Sequence, residues 1–260
     1  MTEAQSAFQR LIEIVEQLRV ECPWDRKQTK ESLRHLTIEE TYELADAILK
    51  DDNAEFKVEL GDLLLHILFY SSLASQNGHF TLAEMIESQI EKLIRRHPHV
   101  YGDLKGATEA EINANWEIIK AKEKALLGHK EASVLDGVPE SLPSLIKAQR
   151  MQEKAANIGF DWSNQEDVWA KVHEELQEFK EAETPEHREE EMGDLIFSLV
   201  NYCRFVGINA EDALARTNAK FIRRFQSVED QARAAHQELN ELSLATMEDY
   251  WVNAKQQEKE

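Results

Sequence analysis

Residues 189–197 read EEEMGDLIF, and residues 58–69 read VELGDLLLHILF. Glu191 and Asp194 in the first stretch, and Glu59 and Asp62 in the second, stand three residues apart at the head of an apolar run. Each pair follows an earlier one: Glu175 and Glu178 in EELQE (174–178), and Glu40 and Glu43 in EETYE (39–43). On a helix, residues three apart share a face. Leu63, Leu64, Leu65, Ile67, Leu68, Phe69 and Leu73 surround Asp62 on nearly every side of such a helix, which reads as buried. Glu191, Asp194, Ser198 and Asn201 fall on one stripe, flanked by Phe197 and Phe205 and so closed to water. A buried carboxylate must meet a cation, lose its charge or hold a metal. One acidic pair is ordinarily a solvated face, but two pairs on adjacent helices, repeated, suit a hard cation such as Mg²⁺ or Mn²⁺.

Basic residues repeat as well. Lys220, Arg223 and Arg224 in KFIRRF follow the second acidic set, as Lys92, Arg95 and Arg96 in KLIRRH follow the first. The chain carries a net charge of −20, which excludes the basic footprint of a protein that grips nucleic-acid polymers. Conserving cations at repeated positions in so acidic a chain points to a bound polyanion, because metal plus Lys and Arg holds phosphates. Trp251 with Lys255 one turn later has the chemistry to stack a base and touch phosphate; a core tryptophan fits equally well. Lys171 is placed for an i,i+4 ion pair with Glu175.

The elements that must position these groups are helices. Periodicity places them near 4–20, 36–50, 53–77, 81–96, 108–126, 142–156, 164–182, 187–206, 210–235 and 245–258, with no strand pattern. The fold class is all-α. The matched motifs recur at an offset of about 130 residues, too long for a solenoid repeat. Trp116 and Lys120 match Trp251 and Lys255, and CPWD (22–25) pairs loosely with GFDW (159–162). A duplicated helical bundle follows: residues 1–125, a linker at 126–140, and residues 141–260. Cys22 and Cys203 lack metal-ligand spacing and read as reduced thiols of a cytoplasmic protein. No hydrophobic signal core opens the chain, and no apolar run approaches ~18 residues, so no membrane span is expected.

EExxE, then ExGD, then KxxRR resembles the pattern of all-α nucleoside triphosphate pyrophosphohydrolases. The tandem set CPWD, ELGDLLL, RRHPHV, GFDW and EEEMGDLIF is similar, over nearly the whole chain, to the MazG family. That resemblance implies cleavage between the α and β phosphates to a nucleoside monophosphate and pyrophosphate, with Mg²⁺ and a homodimer of intertwined helical halves. It implies that Glu175, Glu178, Glu191 and Asp194 hold Mg²⁺, with Mn²⁺ a substitute. Lys171, Lys220 and Arg224 would meet the triphosphate, beside Arg223 and Asn201, and Trp251 and Lys255 would close over the nucleotide. Glu174, Glu175 and Glu178 form the catalytic set; Glu174 and Glu175 are both candidates for handling the attacking water. Broad use of NTPs and dNTPs in nucleotide-pool house-cleaning is implied, with no nucleic-acid polymer or membrane as partner and any regulatory protein partner unidentified.

The halves differ. Alignment sets Leu36 opposite Lys171 and Phe69 opposite Asn201, so the first half keeps a second carboxylate set (Glu40, Glu43, Glu59, Asp62) but lacks a cation and an amide. His66 in that half reads as a satisfied core histidine. Residues 141–260 are therefore expected to carry the main activity, and the first half to serve dimerisation or regulation. A di-iron bundle is excluded because none of the nine histidines has Glu three residues before it. No P-loop and no His-Asp dipeptide occur. EEEMGD differs from a Nudix box in register and lacks its strands. The alternative is a nucleotide-sensing helical dimer or scaffold without turnover.

Overall fold

The computed structural model describes residues 2–258 except 103, 107, 109, 110, 113, 114, 117, 118, 120–122 and 124–132. Every regular element among the described residues is helical. Most of the helix expected at 108–126, with Lys120, and much of the linker expected at 126–140 lie outside the described residues. The chain divides into two compact units, Met1–Lys122 and Glu123–Glu260.

Unit 1 contains α1 (Glu3–Glu21), α2 (Lys30–Lys50), α3 (Asn53–Gln76), α4 (Leu82–Arg96) and the short α5 (Pro98–Tyr101). The start of α2 lies six residues ahead of the expected 36. Thr29 accepts from the Ser32 N–H at 3.2 Å while the Ser32 hydroxyl accepts from the Thr29 N–H at 2.9 Å, a reciprocal cap that nucleates an otherwise polar first turn. Only Asp51 and Asp52 separate α2 from α3. Asp51 turns the chain at φ 54°, and the Asp52 carboxylate accepts from the N–H groups of Ala54 and Glu55. The two helices therefore pack as a hairpin.

Val15, Leu33, Leu68, Phe69 and Leu73 form the core of unit 1, with Phe8, Ile12 and Leu36 against them. Arg19 is buried with this core. It donates to the carbonyl of Asp25 and to Gln76 Oε1, and lies 6.0 Å from the Phe69 ring centre. Helix α3 corrects one expectation. By length and composition it would reach across a bilayer. Glu59, Asp62 and His66 interrupt it, however, and one side forms the protein core, which is the signature of a core helix. It is not buried all round: Val58, Leu60 and Ile67 remain about half exposed.

Unit 2 contains α6 (Ser144–Ala156), α7 (Gln165–Glu181), α8 (Pro185–Phe205), α9 (Ala210–Ala234) and α10 (Leu244–Gln257). Three residues join α7 to α8, which gives a second hairpin. Pro185 opens α8 two residues ahead of the expected 187, with Thr184 capping the His187 N–H. Ala148 of α6, Val200 of α8 and Ala210 of α9 meet in the core, and Val168, Val172 and Val228 are buried in the same unit.

Candidate functional site

The α7–α8 hairpin brings carboxylates together in unit 2. Oxygens of Glu175, Glu191 and Asp194 lie within 4.8 Å of one another, as do those of Glu174, Glu175 and Glu178. Glu175 belongs to both trios and is the most deeply buried of the five, 6% exposed. Lys171 reaches both Glu174 and Glu175 at 2.6 Å. These hydrogen bonds to Glu174 and then Glu175 raise the lysine pKa. The expected i,i+4 pair is thus present and extends to a second glutamate. Burial, followed by the charges of Glu175 and Glu191, pushes the Glu178 carboxyl above its ordinary value. Glu191 also meets His187 Nε2 at 2.9 Å. Five carboxylates facing one lysine form an anion-rich cradle whose oxygens match the donors of a hard divalent cation.

A cavity of about 310 Å³ adjoins this cluster. Lys171, Glu175 and Asp194 border it on one side, and Phe160, Trp162 and Phe197 supply apolar walls. Of the stripe expected to be closed, Ser198 and Asn201 are buried, whereas the end at Asp194 is exposed, with the neighbouring Phe197 42% exposed. Asn201 is buried in the cavity wall, and its Oδ1 accepts from Arg204 Nε at 3.0 Å. Arg204 is held in turn by Asp161 at 2.6 Å. Gln152 comes from α6 and donates through Nε2 to the Phe197 carbonyl at 2.9 Å.

The downstream cations form a separate group. Arg224 Nε donates to Glu258 at 2.7 Å and its guanidinium lies 5.8 Å from the Trp251 ring centre. Arg223 approaches the same Glu258 at 3.6 Å. Charge from these arginines and Lys220 lowers the Glu258 pKa, with the Arg224 hydrogen bond the largest cause. Trp251 is half-buried and packs on Phe221 at 5.2 Å; Lys255 is exposed. Among the described residues, no hydrogen bond, ion pair or shared cavity joins Lys220, Arg223, Arg224, Trp251 or Lys255 to the acidic cluster.

Unit 1 repeats the carboxylates. Glu40, Glu59 and Asp62 oxygens lie within 4.8 Å. Glu59 is 3% exposed, and burial, then the Glu43 charge, raises its pKa to about 7. Burial and Glu40 also raise Glu43. Leu36 and Phe69, which stand where unit 2 has Lys171 and Asn201, are packed into the core. His66 is buried as expected, but its Nδ1 has no hydrogen-bond partner, so it is not the satisfied histidine anticipated.

Sequence reasoning missed Gln152, Asp161, Arg204 and the role of Trp162. GFDW marked Asp161 and Trp162 as a motif without indicating what they do. Gln152 sits in an ordinary amphipathic helix and carries no local signal.

Comparison with known proteins finds the MazG nucleotide pyrophosphohydrolase domain twice, at residues 28–101 and 163–229. The chain is 44% identical over 257 residues to the nucleoside triphosphate pyrophosphohydrolase/pyrophosphatase MazG of Thermotoga maritima, covering 98% of each chain. It is 42% identical to the nucleoside triphosphate pyrophosphohydrolase of Escherichia coli K12, covering 96% of this chain and 97% of that one. An uncharacterized Bacillus subtilis protein, YabN, is 44% identical over 92% of this chain and 49% of its own length. One matched segment falls in each unit and each contains an acidic hairpin, so the chain belongs to the MazG nucleotide pyrophosphohydrolase family.

Proposed function

We infer that the protein hydrolyses nucleoside triphosphates between the α and β phosphates, releasing a nucleoside monophosphate and pyrophosphate, and that unit 2 carries the turnover. The observation behind this reading is the cluster of Glu175, Glu191 and Asp194 beside an apolar cavity, within a chain related along its length to pyrophosphohydrolases. Glu175, Glu178, Glu191 and Asp194 would hold Mg²⁺, with Mn²⁺ a substitute. The clustered, mutually repelling carboxylates, of which Glu175 is buried, fit such an ion, which when bound neutralises phosphate charge and acidifies water.

Lys171 is tied to Glu174 and Glu175 at the cavity edge. A phosphate arriving there competes with those carboxylates for the ammonium, so Lys171 serves as a cationic contact for the triphosphate. Glu174 is exposed and Glu175 buried; either is proposed to orient water or take its proton. Lys220, Arg223 and Arg224, with Trp251 and Lys255, are proposed to meet the outer phosphates and sugar once Glu258 gives way. The apolar outer faces of the helices support a homodimer, and free Cys22 and Cys203 suit a cytoplasmic protein.

A pyrophosphate-release assay with Mg²⁺ and with EDTA, over the NTPs and dNTPs, tests the reading. Turnover should require Mg²⁺, fall at least about 100-fold in Glu178→Ala, as expected for loss of a group supporting metal and proton transfer, and survive in Glu43→Ala. Survival in Glu178→Ala with loss in Glu43→Ala would move the activity to unit 1.

A further inference from the structure

Lys171 is shared between two sets of groups. Its Nζ lies 2.6 Å from an oxygen of Glu174 and 2.6 Å from an oxygen of Glu175, and its side chain also borders the cavity. Positions 171, 174, 175 and 178 fall on one face of α7. Among the described residues, the side chains in ion pairs with the five carboxylates of the cluster are Lys171 and His187, which meets Glu191. His187 is half exposed and charged only when protonated. Lys171 is therefore the standing counter-charge of Glu175, which at 6% exposure needs one.

Unit 1 shows the same helix position without the ammonium. Leu36 stands there and packs against the core, and the buried Glu59 of that unit keeps an oxygen without a hydrogen-bond partner. An apolar side chain at this position is thus compatible with the hairpin, and what the lysine adds in unit 2 is chemical. The oxygens it engages belong to the trio Glu174, Glu175 and Glu178, and Glu175 belongs also to the trio with Glu191 and Asp194. An ammonium and a divalent cation compete for the same carboxylate oxygens, and side by side they repel each other. The four-carbon stem of lysine is flexible, so the ammonium can turn from the carboxylates to the cavity edge, where a phosphate is a strong alternative partner.

We propose that Lys171 is an exchangeable counter-cation: it holds Glu174 and Glu175 until a divalent metal takes their oxygens, and the ammonium so released becomes the contact for the triphosphate. Lys171 then weakens the binding of metal alone, and it makes metal and nucleotide favour each other, a coupling that is reciprocal. The proposal rests on the nucleotide-hydrolysing reading of unit 2 and adds how its two ligands are linked.

The test titrates the full-length wild type, Lys171→Met and Lys171→Arg with Mn²⁺ alone, following free Mn²⁺ by electron paramagnetic resonance, and then measures KM for ATP at saturating Mg²⁺. Unit 1 has the same sequence in all three, so differences report unit 2. Lys171→Met, for which Leu36 is the precedent, should bind Mn²⁺ about tenfold more tightly than the wild type, the scale of removing one charge from beside a divalent ion. Its KM for ATP should rise about tenfold, as loss of a charge-assisted phosphate contact predicts. Lys171→Arg keeps the charge and should hold Mn²⁺ as the wild type does. A lysine that only contacts phosphate would leave Mn²⁺ affinity unchanged in Lys171→Met, and one that only steadies the cluster would weaken it; either result overturns the proposal. Tighter Mn²⁺ binding with an unchanged KM overturns it too. The Mn²⁺ titration needs no turnover, so its outcome is separate from the hydrolysis reading. That reading fails if the wild type releases no pyrophosphate from any nucleotide, and the hand-over to phosphate fails with it.

Discussion

Glu59 shows what acidic crowding does to a single side chain. It is 3% exposed, has an oxygen without a hydrogen-bond partner, and titrates near 7 because burial and Glu43 disfavour its charge. A carboxyl that binds its proton more tightly folded than unfolded gives stability that is full below the ordinary value of 4.5 and lost as pH rises through about 7. Thermal unfolding in EDTA between pH 4.5 and 8 should therefore show the wild type weakening with pH more than Glu59→Gln does. Identical slopes for the two proteins would show that Glu59 is not the source. The carboxylates of both sites were legible because i,i+3 spacing is a local rule. Gln152 was not, because α6 brings it to the site through tertiary packing and nothing in its own turn departs from an ordinary helix.

At the level of elements, the hairpins α2–α3 and α7–α8 do the positioning, since each places one acidic pair opposite another. The helices and their duplication could be read from periodicity and repeated motifs. The start of α2 could not be read that way, because its first turn offers Leu33 as its one apolar anchor while the cap between Thr29 and Ser32 sets the boundary. Thr29→Ala should lower stability by about 1 kcal/mol, as loss of a side-chain N-cap does. Urea denaturation followed by circular dichroism measures this, and an unchanged midpoint would mean that packing alone sets the start of α2. The openness of α8 around Phe197 also escaped the sequence, because periodicity shows which face is apolar but not whether another helix covers it.

Over the whole molecule, the uncovered apolar faces are the main feature. Ile14, Val20, Val58, Ile67, Ile196 and Ile222 are all at least two-fifths exposed. Burial of such surface drives association, at about 25 cal/mol per Å² of apolar area before the costs of binding. Sedimentation velocity should give twice the 30.0 kDa chain mass, and a single 30.0 kDa species at micromolar concentration would count against the homodimer. The two units also stand under different demands. Where unit 2 keeps Lys171 and Asn201 around an open cavity, unit 1 has Leu36 and Phe69 packed tight. On the proposed assignment, nucleotide bound in the cavity of unit 2 would stabilise that unit by mass action. If unit 2 carries the turnover as proposed, its persistence is linked to nucleotide supply, because an empty unit opens more often to proteases than a filled one.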